Sequence, residues 1–138
     1  MRHQKKGRKL NRTVSHRKAL FSNLAPSLVI HKKIRTTDAK GKELRIYLER
    51  LVTYAKRGDL HGRRLIQKKI IGKRAKEIAN ILIHEIAPAY ADRQGGYTRL
   101  IKLNNRKNDN ASMSIIEFVD LTTEAATEEE TKPKENNK

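Results

Sequence analysis

The chain has 138 residues and a formal net charge of +17, and residues 1–120 carry 29 basic against 10 acidic side chains. This length supports one domain of ordinary size with tails, and so large a positive excess favours a polyanionic partner, above all nucleic acid. Cysteine is absent, the five histidines lack metal-ligand spacing and no apolar run approaches the roughly 20 residues of a membrane span, which excludes disulfide scaffolds, zinc fingers and membrane helices.

The first twelve residues, MRHQKKGRKLNR, contain one large apolar side chain, Leu10, and no acid occurs before Asp38. A segment with so little apolar surface cannot offset the entropy cost of folding alone. We therefore expect residues 1–12 to be a disordered basic arm that becomes ordered on its partner. A merely solubilising tail would have acids interspersed among its bases.

Ser15 is a plausible N-cap for a first helix ending near His31. Its apolar residues recur at helical spacing and include Ala19, Leu20, Leu24 and Leu28, with Phe21 beside them. Pro26 lies inside this pattern, where it removes a backbone donor and clashes with the preceding turn. The sequence therefore predicts a kink at Pro26 or two shorter helices.

The next segments predict a strand and three more helices. Residues 33–37 are rich in β-branched side chains and favour a short strand, after which Thr37 or Asp38 caps a second helix ending near Gly58. A weaker, very basic helix follows from Asp59 to about residue 71. After Gly72, a fourth apolar stripe begins at residue 75 and is closed by Pro88.

Residues 93–96 predict a turn, and residues 97–103 and 112–121 predict an antiparallel hairpin joined by a polar loop. The predicted fold class is α+β, with about four helices packed on a small, mainly antiparallel sheet of about three strands. We expect a single globular domain over residues 13–121 and a disordered acidic tail over residues 122–138.

No catalytic motif is recognisable. The pair His84 and Glu85 is unaccompanied by a nucleophile elbow, a metal-binding carboxylate motif or a histidine pair on one helix face, so we predict that the chain is not an enzyme. We expect no metal, cofactor, small-molecule substrate or membrane partner, and a cytoplasmic location. Two functions remain open. One is RNA binding that recognises the backbone and shape of the RNA, and the other is DNA binding as a nucleoid or helix-turn-helix protein.

Several motifs occur in a characteristic order: MRHQKKGRKLNR, SHRKAL, KIRTTDAKGKELR, YAKRGDLHGRRL, GGYTRLIKL and SIIEFVDL. Together they closely resemble the bacterial large-subunit ribosomal protein family L17, over essentially all of residues 1–121. The resemblance implies a structural protein of the large ribosomal subunit, bound to large-subunit ribosomal RNA (rRNA) and to neighbouring large-subunit proteins. It also implies a position near the outer end of the peptide exit region.

The resemblance further implies rRNA-binding residues in three segments. In the arm and at the start of the first helix they are Arg2, His3, Lys5, Lys6, Gly7, Arg8, Lys9, Asn11, Arg12, Ser15, His16 and Arg17. Elsewhere they are Thr36, Thr37, Lys40, Arg45, Gly95, Gly96, Tyr97, Thr98 and Arg99. The glycine pair suits a close backbone approach, and Tyr97 and Arg99 suit stacking or phosphate contact. Pro26 and the acidic tail depart from the family pattern.

Overall fold

Four helices pack against a three-stranded antiparallel sheet in the computed structural model, which describes residues 7–121. In chain order the elements are α1 (Val14–His31), β1 (Lys33–Thr37), α2 (Asp38–Lys56), α3 (Leu60–Lys69), α4 (residues 75–89), β2 (Thr98–Leu103) and β3 (Met113–Phe118). The predicted α+β class is confirmed. The expected disorder of residues 1–6 and of the tail lies outside the described residues. No helix of the described part is long and apolar enough to cross a membrane.

The sheet has the order β1-β3-β2, with β3 antiparallel to both neighbours. Ile116 in β3 lies opposite Ile34 in β1 and Leu100 in β2, and this row faces the helices. The predicted strand and hairpin are confirmed, although β2 begins one residue later and β3 ends three residues earlier than expected. Alternate side chains of the strands point to the opposite, outer face of the sheet, where Lys33, Arg35 and Arg99 are exposed.

Helix α2 lies at the centre of the core. Its apolar residues Leu44, Leu48, Leu51, Val52 and Ala55 are all at most 2% exposed. They share one helix face because they recur every three or four positions, and that face contacts α1, α4 and the sheet. The sequence predicted this apolar stripe correctly. Burial of the stripe fixes the orientation of α2, which carries part of the basic surface.

Helix α1 departs from its prediction at its N-cap and is continuous through its middle. Thr13, not Ser15, is the N-cap: its backbone is extended and its hydroxyl accepts a 3.4 Å hydrogen bond from the backbone N–H of His16. The helix runs without interruption through Pro26, which excludes two shorter helices, and the alternative of a kink at Pro26 stays a prediction. Its fully buried residues Ala25 and Leu28 pack in the core, which holds both halves of the helix in place.

Helix α3 is capped by Asp59, whose carboxylate accepts a 2.6 Å hydrogen bond from the backbone N–H of Gly62. Helix α4 continues past Pro88, where the sequence predicted its end. It does so through a π-helical turn at Leu82–Ile86, followed by one α-helical turn at Ala87–Ala89. A regular α-helix would bring the proline ring against the carbonyl of His84, and the wider turn avoids that clash.

Candidate nucleic-acid interface

The described part of the arm is folded onto the domain. The backbone N–H of Arg12 donates to the carbonyl of Lys9 at 3.1 Å and closes a turn in which Leu10 and Asn11 have φ values of 55° and 50°. The Leu10 side chain packs against the core. The expectation of disorder is therefore wrong for residues 7–12, because the one apolar side chain of the arm finds a surface to bury against.

Polar contacts fix this turn to α1 and α2. The guanidinium of Arg17 donates to the carbonyls of Lys9 and Arg12, at 3.3 and 3.2 Å. The backbone N–H of Arg8 donates to the Glu43 carboxylate at 3.0 Å, and the Arg12 guanidinium contacts the imidazole of His16. Arg17 thus positions the arm, while the side chains of Arg8 and Lys9 are exposed.

The predicted residues around the start of α2 differ in accessibility. Thr36 is 8% exposed and faces the core side of the sheet, whereas Thr37 and Lys40 are half-buried. Arg45 is exposed and forms a 3.2 Å ion pair with Glu49 one turn later. Arg45 and Lys40 can therefore meet an external anion, and the side chain of Thr36 cannot do so without a rearrangement of the strand.

The loop around Gly95 does not expose its aromatic ring. Tyr97 is 3% exposed, and its ring centroid lies 5.3 Å from that of Tyr90. The Lys56 ammonium lies 5.5 Å from the centroid of the Tyr97 ring. Thr98 is 2% exposed and its hydroxyl donates to Glu49 at 3.4 Å. The expectation that Tyr97 stacks on a base is therefore corrected: apolar burial against α4 outweighs exposure of the ring.

Arg99 lies on the outer face of the sheet, where its guanidinium pairs with the Glu117 carboxylate. Glu117 is only 6% exposed, and its cross-strand neighbours are Arg99 in β2 and Lys33 in β1. Arg35 lies on the same outer face of β1 and is exposed. Three bases thus surround one acid, and this face keeps a net positive charge.

The predicted residues do not form a single compact patch. The arm and the start of α1 form one cluster, and Arg45 meets Thr98 through Glu49. The loop at Gly95–Tyr97 instead lies beside Lys56, which is about 24 Å along α2 from Lys40 at roughly 1.5 Å per residue. The described candidates are spread over a broad basic surface. Arg2, His3, Lys5 and Lys6 lie outside the described residues.

The site prediction left out a basic segment that the structure exposes. Residues 60–76 contain seven bases and no acid, and six of the seven are exposed: Arg64, Lys68, Lys69, Lys73, Arg74 and Lys76. The absence of acids over this length is the signal that could have identified them. Arg63, the seventh, is half-buried and donates to the side-chain oxygen of Asn80 at 2.6 Å.

The hydroxyls of Tyr47 and Tyr90 add no negative charge to this surface. Burial raises the pKa of both Tyr47 and Tyr90 to about 12, so both hydroxyls are neutral at physiological pH. Within residues 7–121 no three histidine, aspartate or glutamate side chains come together in a way that could hold a metal ion. The chemistry that this surface offers is therefore ammonium and guanidinium donors for an extended anion.

Comparison with known proteins gives matches over nearly the whole fold. A sequence model of the family described as Ribosomal protein L17 matches residues 20–119, from the middle of α1 to the end of β3. A protein named large ribosomal subunit protein bL17, from Allorhizobium ampelinum, is 52% identical over 125 residues. The aligned region covers 91% of this chain and 86% of that protein.

Proposed function

The chain belongs to the ribosomal protein L17 family, a family of structural ribosomal proteins and not of enzymes, and from this premise we propose how it acts in the large ribosomal subunit. It binds large-subunit rRNA through the arm and the basic surface and stabilises the local RNA fold. Its place is in the ribosome, in the cytoplasm. Its position is near the outer end of the peptide exit region, beside other large-subunit proteins.

The observation that carries this proposal is the anchored turn at residues 7–12. Arg17 and Glu43 hold the backbone of the turn beside α2, and in the sequence the turn directly follows the first six residues. Those residues include Arg2, Lys5 and Lys6 and no acid. A basic segment that starts from a rigid base can reach among RNA helices with a smaller loss of entropy than a free peptide.

The mode of binding follows from the composition of the surface. Aromatic residues are 4% of the chain, and Tyr97 is buried, so base stacking has few available partners. Lysine and arginine instead replace condensed counterions along the phosphate backbone. Recognition should therefore depend on RNA shape and backbone more than on base sequence.

Sedimentation of cell extracts on sucrose gradients tests the proposal. We compare the intact chain with a variant in which Arg2, Lys5 and Lys6 are changed to glutamine. The control variant carries glutamine at Lys132, Lys134 and Lys138 and removes the same charge from the tail. The intact chain and the control should sediment with the large subunit, and the arm variant should dissociate at a lower salt concentration.

The main alternative is a DNA-binding protein of the nucleoid or helix-turn-helix type. The position of the intact chain on the gradient distinguishes this alternative from the ribosomal proposal. Recovery with chromosomal DNA, or at the top of the gradient at moderate salt, would exclude the ribosomal proposal. If the arm and tail variants dissociated from the subunit at the same salt concentration, the chain would still be a subunit protein, but the arm would not be its anchor.

A further inference from the structure

Three lysines that are distant in sequence line one small cleft. Lys18 comes from α1, and Lys68 and Lys69 come from the end of α3. Tyr47 of α2 and Ile71 complete the lining of this space, which measures about 270 Å³ and which we call the lysine cleft. No acid lines it. Bringing three like charges around one space costs electrostatic energy that a bound anion would recover.

The walls of the lysine cleft are held by two hydrogen bonds between elements. Ser22 of α1 is 2% exposed, and its hydroxyl accepts a 2.6 Å hydrogen bond from the backbone N–H of Ile71. The hydroxyl of Tyr47 donates to the carbonyl of Lys69 at 2.6 Å. These two bonds fix the end of α3 against α1 and α2, and with it the backbone from which the side chains of Lys68 and Lys69 extend towards Lys18.

The chemistry of the lining identifies the class of ligand. Three ammonium groups supply donors for the non-bridging oxygens of a phosphodiester. Ile71 is 67% exposed, and its side chain offers an apolar surface against which a ribose can lie. The volume is slightly below the roughly 300–1,000 Å³ of small-molecule sites, and it suits one sugar-phosphate unit of a longer chain.

The cleft is also close to the anchored arm. Glu43, which accepts the hydrogen bond from Arg8, lies one helical turn before Tyr47, about 6 Å along α2. Glu43, Tyr47 and Lys69 also line a smaller neighbouring hollow. A strand of RNA held by the arm can therefore continue past Glu43 and into the lysine cleft.

We propose that the lysine cleft binds the sugar-phosphate backbone of large-subunit rRNA, as a second anchoring point beside the arm. The proposal rests on the function proposed above and assigns an rRNA contact to three lysines that are not among the binding residues implied by the family resemblance. It makes Lys18, Lys68 and Lys69 phosphate-contacting residues. Ser22 and Tyr47 are positioning residues that hold the walls of the cleft.

Chemical acetylation of lysines in the intact chain tests this assignment without altering the fold. The chain is modified free, in complex with purified large-subunit rRNA, and within assembled subunits, and each lysine is quantified by mass spectrometry. We expect Lys18, Lys68 and Lys69 to lose at least fivefold in reactivity in the RNA complex. If the RNA complex forms normally and the reactivity of these three lysines is unchanged, the lysine cleft does not bind RNA. The proposed function would then still hold.

Two further outcomes are equally decisive. Protection of the three lysines in assembled subunits but not in the RNA complex would mean that a protein neighbour fills the cleft, and the proposal would be wrong. If the intact chain failed to bind the RNA at all, the cleft and the proposed function would both be excluded. The same experiment thus separates failure of the site from failure of the function.

Charge variants provide the second measurement. Changing Lys18, Lys68 and Lys69 to glutamine should make the log-log salt dependence of RNA affinity shallower by about 2 to 3, because three phosphate contacts are lost. The control changes Lys42, Lys102 and Lys107, three exposed lysines of α2, β2 and the hairpin loop, and should shift the slope by less than about 1. Equal shifts in the two variants would contradict a specific role for the cleft.

Discussion

At the scale of single residues, two helical glycines differ in what surrounds them. A Cβ atom added at Gly62 would lie under 3.0 Å from the backbone carbonyl oxygen of Tyr54, whereas one added at Gly41 would meet the end of the flexible Leu100 side chain. Gly62→Ala should therefore lower the free energy of unfolding by about 1–3 kcal/mol. Gly41→Ala should be close to neutral, because a helical alanine gains up to about 1 kcal/mol. Urea denaturation of both variants measures the difference, and equal effects would contradict it.

The hairpin loop contains a pair whose pH dependence can be followed directly. Arg106 donates to both carboxylate oxygens of Asp109, at 2.8 and 2.5 Å, and these bonds lower the pKa of Asp109 from 3.8 to about 2. Because the pKa is lower in the folded state, the pair contributes stability above about pH 4 and loses it as the pH falls towards 2. NMR titration should give a midpoint near 2 that rises towards 3.8 in Arg106→Gln, and a wild-type midpoint near 3.8 would refute the pairing.

At the scale of elements, the arm turn depends on Arg17. Arg17→Ala removes two hydrogen bonds to the turn and should raise amide hydrogen exchange at Arg12 by roughly 5- to 100-fold, since each such bond contributes about 0.5–1.5 kcal/mol. Exchange in the α2 core should change little. Arg64→Ala, which removes an exposed arginine from α3, is the control. If both variants left Arg12 equally protected, Arg17 would not anchor the arm.

The elements also differ in how far sequence predicts them. Helix α2 and the hairpin could be predicted from the sequence, because apolar periodicity and turn residues are local features of the chain. The folded arm was not predictable, because Leu10 and Arg8 are held by a surface and a carboxylate from elsewhere in the chain. The burial of the Tyr97 ring was not predictable for a similar reason: the ring packs against that of Tyr90, which no local pattern reveals.

At the scale of the whole molecule, the excess of positive charge predicts opposite effects of salt on stability and on binding. Residues 1–120 have 29 bases against 10 acids, and their mutual repulsion destabilises the free protein. Raising the salt concentration from about 0.01 M to 0.15 M shortens the Debye length from about 30 Å to 8 Å and should raise the melting temperature. Calorimetry of the free chain checks this, and a melting temperature that fell with salt would contradict it.

The central claim is that this surface binds large-subunit rRNA through its phosphates. The most direct test is the affinity of the intact chain for large-subunit rRNA across a series of salt concentrations, beside duplex DNA of matched length. We expect a log-log slope of about −4 or steeper, corresponding to at least five neutralised phosphates, and tighter binding to rRNA than to DNA at every salt concentration. An affinity that hardly changed with salt, or a preference for DNA, would contradict the claim.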